Sequence, residues 1–162
     1  MKEKLELLIS NLRDDLANIE KLKSEYDFFI MSIGDKGPDI YQKAVIGYYL
    51  HNFYNACENI FLNIAKTFEN NIDPQEWHKC ILKRMKLEIE DIRPAVISDP
   101  LHKALDDFRA FRHIFRHVYF YELDWEKEKI VADKFQYAVG QFNKEITQFI
   151  GFCKQLPGKT PV

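Results

Sequence analysis

The segment FRHIFRHVY (111–119) sets Arg112, His113, Arg116, His117 and Tyr119 among four bulky apolar residues. Each of the five has chemistry to offer at a phosphate. An arginine fork clamps phosphate oxygens and stabilises charge that develops on them. A histidine exchanges a proton near neutral pH. A tyrosine stacks on a base or hydrogen-bonds a phosphate. RNA supplies its own nucleophile, the 2′-hydroxyl. Acid–base help and phosphate stabilisation from these side chains therefore suffice in kind to cleave it without a metal. The same groups can instead hold a nucleotide and do nothing further.

Helical geometry sharpens the question. At about 100° per residue, Leu101, Leu105, Phe108, Phe111 and Phe115 share one face, and Arg112 lies on it. An arginine there needs a carboxylate, a cavity or a ligand, or else snorkels along the apolar surface. His113 and His117 share another direction. Arg112 and His117 would then meet one phosphate only across a broad groove, through distortion of the helix, or with a second subunit contributing. Glu58, in the mostly apolar YNACENIF, is a candidate to orient Arg112 or His117. His113 and Arg116 duplicate the chemistry nearby and are candidates to position RNA outside the reaction centre.

The rest of the chain offers little competing chemistry. His51, His78 and His102 are scattered, with no compact carboxylate pattern, so no metal site is expected. Asp106 and Asp107 are adjacent on one helix and point about 100° apart, so they read as solvated or as partners of local basic residues. There is no P-loop and no GxGxxG. A net charge of −2 excludes a strongly basic coat but not a local basic site. Cys57, Cys80 and Cys153 are widely spaced and odd in number, which predicts buried free thiols in a cytoplasmic protein. No apolar run is long enough for a membrane span, and MKEKLELLISNLRDD has no signal-peptide core.

The elements that must carry these residues all read as helical. Apolar residues at three and four predict a first helix over roughly 3–32, broken by GDKGPD (34–39). A second runs to about 69 with Val45, Tyr48, Tyr49, Phe53, Ala56, Cys57, Ile60, Ile64 and Phe68 in its stripe. Asp73 and Pro74 predict the start of a third, over about 75–91, with Trp77, Ile81, Met85 and Ile89 in its stripe and RPAV at its end. Asp99 and Pro100 open a fourth that contains the 111–119 segment; Asp124 caps a fifth reaching about 154, with Glu126 in its first turn and Ile130 in its stripe. The expectation is all-α: an antiparallel bundle of about five helices, one domain over 1–155 and a short polar tail, 156–162.

Arg112, four residues, His117, one residue and Tyr119 match the R-x4-H-x-Y motif of HEPN domains. WHKCILKRM (77–85), EDIRPAVIS (90–98) and FRHIFRHVYFYELD (111–124) resemble, in this order, the HepT-like branch, with the resemblance covering about 40–150. It implies an α-helical, usually dimeric protein. Members are typically toxins of toxin–antitoxin pairs that act as metal-independent ribonucleases, with transfer RNA a substrate class of relatives. The usual partner is an MNT-type nucleotidyltransferase that transfers AMP to the motif tyrosine. Carried over, Arg112 and His117 become the catalytic pair, and Tyr119 supports the site and is the position for adenylylation. Some HEPN domains are noncatalytic nucleotide- or protein-binding modules. Related stretches commonly have a small residue after the motif tyrosine, whereas here Phe120 and Tyr121 follow.

Overall fold

Capping chemistry decides where the helices begin. The computed structural model describes residues 2–69 and 77–156, and the side chains of these except 77–79. Among them are α1 (Lys2–Met31), α2 (Ile40–Phe68), α3 (Trp77–Met85), α4 (Asp99–Phe115), α5 (Trp125–Asp133) and α6 (Phe135–Gln155), with a 3-10 turn at Phe120–Glu122. The fold is an all-α bundle, and the described residues contain no strand. Asp39 starts α2 with a capping box: Gln42 N–H donates to Asp39 Oδ1 at 2.8 Å and Asp39 N–H donates to Gln42 Oε1 at 2.9 Å. Such a cap contributes about 1 kcal/mol. Gly37 takes a φ of 78° just before it, which explains a glycine in that turn. Asp124 caps α5 as expected, accepting from Glu126 N–H at 3.1 Å. The cap of α4 is Ser98, one residue before the expected Asp99; its Oγ accepts from Leu101 N–H. Glu145 of α6 fixes that serine through its N–H (2.7 Å) and hydroxyl (2.6 Å).

α2 is the central element, packed against α1, α3, α4 and α5, while α6 lies against α1 and α4. Phe53 of α2 is fully buried and meets Phe108, Phe135 and Phe142 edge-on at 5.2, 5.5 and 6.2 Å. Those three contacts bind α2, α4 and α6 together, and edge-to-face pairs of this kind add about 0.5–1.5 kcal/mol each beyond burial. Cys57 and Cys153 are buried free thiols, but Cys80 is exposed, against expectation. Among the described residues no helix is long and apolar enough to cross a membrane.

Three expectations about element ends and faces change. α3 stops at Met85, not near 91. Its last carbonyls are taken by partners distant in sequence: Arg93 donates to the Arg84 and Leu87 carbonyls, and the Val96 and Ile97 N–H groups donate to the Met85 carbonyl. The chain beyond makes a tight turn in which Ile89 and Arg93 exchange backbone bonds around Asp91 at φ 61°. The expected fifth helix is two, α5 and α6, parted by one turn at Lys134. Lys134 N–H bonds the Val131 carbonyl three residues back, and its ammonium pairs with Asp107 of α4. Val45, Tyr48 and Ile130, placed in apolar stripes, are exposed, because α1 and α5 cover only part of the faces they pack on. Asp73, Pro74 and the side chains of Trp77 and His78 lie outside the described residues, as does the tail from 157.

Candidate functional site

Arg112 is held from across the helix interface. Its Nη1 donates to Glu58 Oε2 at 3.0 Å, and its guanidinium lies over the Tyr54 ring at 5.8 Å. Glu58 is buried, whereas 18% of the Arg112 side chain stays exposed. Its Nε is buried with no hydrogen-bond partner. The arginine that periodicity put on the apolar face thus sits in the α2–α4 seam with a carboxylate, not snorkelling along it. Burial, and then the Glu58 charge, pushes the Tyr54 phenol well up.

α4 ends at Phe115, so the continuous helix expected through 111–119 is not formed. His117 N–H turns in to the Ile114 carbonyl three residues back, at 3.0 Å, and Tyr119 is extended. Tyr119 and Glu122 then close a 3-10 turn, with Glu122 N–H donating to the Tyr119 carbonyl at 2.9 Å. His113 and His117 keep one direction despite the break: both are exposed, with ring centroids 4.9 Å apart. Tyr119 is 68% exposed and stacks on Tyr121 at 5.4 Å with the planes 5° apart. Phe120, where relatives commonly have a small residue, stacks on Tyr41 of α2 at 6.0 Å. Arg116 is exposed on the turn. The structure therefore joins Arg112 to Glu58 and His113 to His117, while Tyr119 pairs with its neighbour.

Comparison with protein families matches residues 45–153 to the HepT-like protein family, about two thirds of the chain. The chain belongs to the HepT-like protein family. The match runs from α2 to the end of α6 and takes in Glu58, Arg112, His117 and Tyr119; α1 lies outside it. No curated protein and no solved structure matched the chain. Among the described residues of this HepT-like protein, no three His, Cys, Asp or Glu side chains converge as metal ligands would.

Two further groups of the HepT-like site were not picked out from sequence. His51 was set aside because it lacks metal-ligand neighbours, yet it lies one to two turns from Glu58 on the same side of α2. Its Nε2 is 3.0 Å from Asn55 Nδ2, and its ring packs on Phe115 at 5.4 Å. Burial, then the Arg112 and Arg116 charges, lowers its pKa and keeps the ring neutral at physiological pH. The spacing 51, 54, 55, 58 is the readable signal: one polar seam on an apolar helix. Gly47 continues that seam by one turn. A Cβ there would stand 2.8 Å from Phe115 Cε2, so the glycine makes room for the last ring of α4.

Glu128 of α5 faces the same place. It is 1% exposed, and neither carboxylate oxygen makes a well-formed hydrogen bond. Burial pushes its pKa up to about 7, opposed only in part by the backbone at Gly47 and the Lys43 ammonium. Its folded pKa exceeds its unfolded value, so the folded state binds the proton more tightly. This contribution to stability is complete below the model value of 4.5 and is lost as pH rises through about 7. The loss amounts to roughly 2–3 kcal/mol. Glu128→Gln is therefore expected to match the parent near pH 4.5 and exceed it above pH 8. Urea unfolding at both pH values checks this; a parent with the same pH slope as the variant would refute it.

Proposed function

We propose that this HepT-like protein is the endoribonuclease toxin of a toxin–antitoxin pair and cleaves RNA, with transfer RNA the substrate class, without a metal. One observation carries the reading: Arg112 is fixed in the α2–α4 seam by Glu58 and Tyr54 with part of its side chain open to solvent. A guanidinium oriented before substrate arrives loses little freedom on clamping a phosphate, and semi-buried surroundings strengthen its field. In the reaction the RNA 2′-oxygen attacks the adjacent phosphorus and the 5′-oxygen leaves. The products are a 2′,3′-cyclic phosphate and a 5′-hydroxyl. Arg112 stabilises the pentacoordinate phosphorane, and His117, exposed on the turn, moves a proton. His113, Arg116 and Glu58 position RNA or support the pair.

Tyr119 carries its phenol to solvent, where the hydroxyl of an adenylylated tyrosine has to be reached. Its oxygen would attack the α-phosphorus of ATP held by an MNT-type nucleotidyltransferase antitoxin, with pyrophosphate leaving. Tyr41, Val45 and Tyr48 form an exposed apolar row at helical spacing on α2, extended by Phe120, and support a homodimer. The setting proposed is the cytoplasm, with one HepT-like domain over 1–155.

The test is RNA incubation in EDTA with the product ends mapped. Cleavage to cyclic-phosphate ends is expected, with His117→Ala reducing the rate about 10²–10⁴-fold and leaving the far-UV helical signal intact. Tight RNA binding with no cleavage by the parent would overturn the enzyme reading in favour of a noncatalytic binding module. Intact mass after incubation with the nucleotidyltransferase and ATP tests the modification, which Tyr119→Phe should abolish.

A further inference from the structure

A second cationic site opens on the other flank of α4. A cleft of about 360 Å³ between α3 and α4 is lined by Leu82, Lys83, Lys86, His102, Asp106 and Arg109. That is at the small end of the about 300–1,000 Å³ range of ligand pockets. Leu82 is buried and forms an apolar floor, while the charged groups stand on the rim. Lys83, Lys86 and Arg109 outnumber the one acid of the lining, Asp106, in a chain whose net charge is −2. Asp106 accepts from Arg109 Nε at 2.7 Å, and Lys86 reaches Asp99 at 3.4 Å, so both acids lie beside the cations they restrain. Burial and the Lys86 charge lower the His102 pKa, leaving a neutral ring able to donate one hydrogen bond.

The cleft is continuous with the motif. Arg109, Arg112 and Arg116 follow one another at three and four residues along α4 and the turn after it. Arg109 and Arg112 also flank one side chain, since both charges act on the Tyr54 phenol. Along the helix axis Arg109 stands only ~4.5 Å from Arg112. Cations at this interval, leading away from a catalytic arginine into a basic cleft, suit successive phosphates of one strand. A folded acidic protein would demand no such regular interval.

We propose that the α3–α4 cleft is a phosphate-binding subsite for RNA, in which Lys83, Lys86 and Arg109 hold the backbone away from the bond to be cut. This rests on the ribonuclease reading for its place in the reaction, but strand binding can be measured without cleavage. The substrate is then a strand that extends past the cleaved bond, and a dinucleotide reaches only the Arg112 end.

The probe is a fluorescent 2′-O-methyl RNA strand, which lacks the nucleophile, titrated at several salt concentrations. For Lys83→Gln/Lys86→Gln the slope of log affinity against log salt is expected to fall by about 1. With cleavable RNA the same variant should raise KM for a long strand, leave kcat unchanged, and leave dinucleotide turnover unchanged. Asp106→Asn, which releases Arg109, should act in the opposite direction and bind the strand more tightly, a gain that misfolding cannot imitate. Unchanged salt slopes in the double variant overturn the subsite. So does a loss confined to binding of the nucleotidyltransferase, which would make the cleft a protein-docking site. Strand binding that follows these expectations while the parent cleaves no RNA would uphold the subsite and defeat the ribonuclease reading instead.

Discussion

Arg112→Ala is expected to lower RNA cleavage by about 10²–10³-fold, the usual effect of removing one donor from developing oxyanion charge. The residue also supports the fold, since its guanidinium bonds Glu58 and covers the Tyr54 ring. Losing a charged hydrogen bond of this kind costs about 1.5–3 kcal/mol. Activity alone therefore cannot separate the two roles. Arg112→Lys can: it keeps a cation opposite Glu58 but not the planar fork. We expect the lysine variant to recover most of the stability, by urea unfolding, and little of the rate. A folded Arg112→Lys protein with parental turnover would remove the arginine from the chemistry. Full activity in a folded Arg112→Ala protein would remove it twice over.

Arg93→Met is expected to cost about 3–5 kcal/mol, the range for breaking a buried ion pair from one side. Arg93 is fully buried, and its fork is used on every side. Two nitrogens donate to Glu69 Oε1 at 2.7 and 3.2 Å, and others donate to the carbonyls of Leu87, Pro94 and Arg84. Glu69 follows the last residue of α2, so one side chain ties that helix end to the end of α3 and to the turn after it. Methionine replaces the aliphatic stem but returns no donor to the carbonyls or to Glu69. Glu69 would retain Arg84, which is partly exposed and cannot reach the same carbonyls from its own backbone position. Chemical denaturation gives the number. A loss below about 1 kcal/mol, as for a solvated pair, would mean that the clasp is not structural. Turnover per folded molecule should be little changed, in contrast to Arg112.

Those two arginines also mark what sequence could and could not reveal. Helix starts were readable because their signals are local: Asp39, Asp124 and Pro100 act within a few residues of themselves. Even the shift from Asp99 to Ser98 is a choice between neighbours that can both cap. Helix ends were not readable, because long-range partners decide them. α3 is stopped by Arg93, eight residues beyond Met85, together with Val96 and Ile97. Periodicity was right to place Arg112 on the apolar face and to single out Glu58, since both sit in one two-helix seam. It misplaced Arg116 and Tyr119, because a helical wheel has no meaning after Phe115. His51 and Glu128 escaped for a related reason. Each is unremarkable on its own helix and becomes informative only when α2, α4 and α5 are in register around Gly47.

The end of α4 at Phe115 divides the labour of the motif mechanically. Arg112 belongs to the rigid body of the bundle, whereas His117 rides on a short connector suspended between the Phe115 ring and the cap at Asp124. Grip and proton transfer are thereby entrusted to parts with different stiffness. Anything that seizes the connector, whether a partner surface or an AMP group on Tyr119, can stall turnover while leaving the anchored arginine ready for phosphate. An inhibited protein of this build would still occupy its RNA, acting as a sequestering agent rather than an inert one.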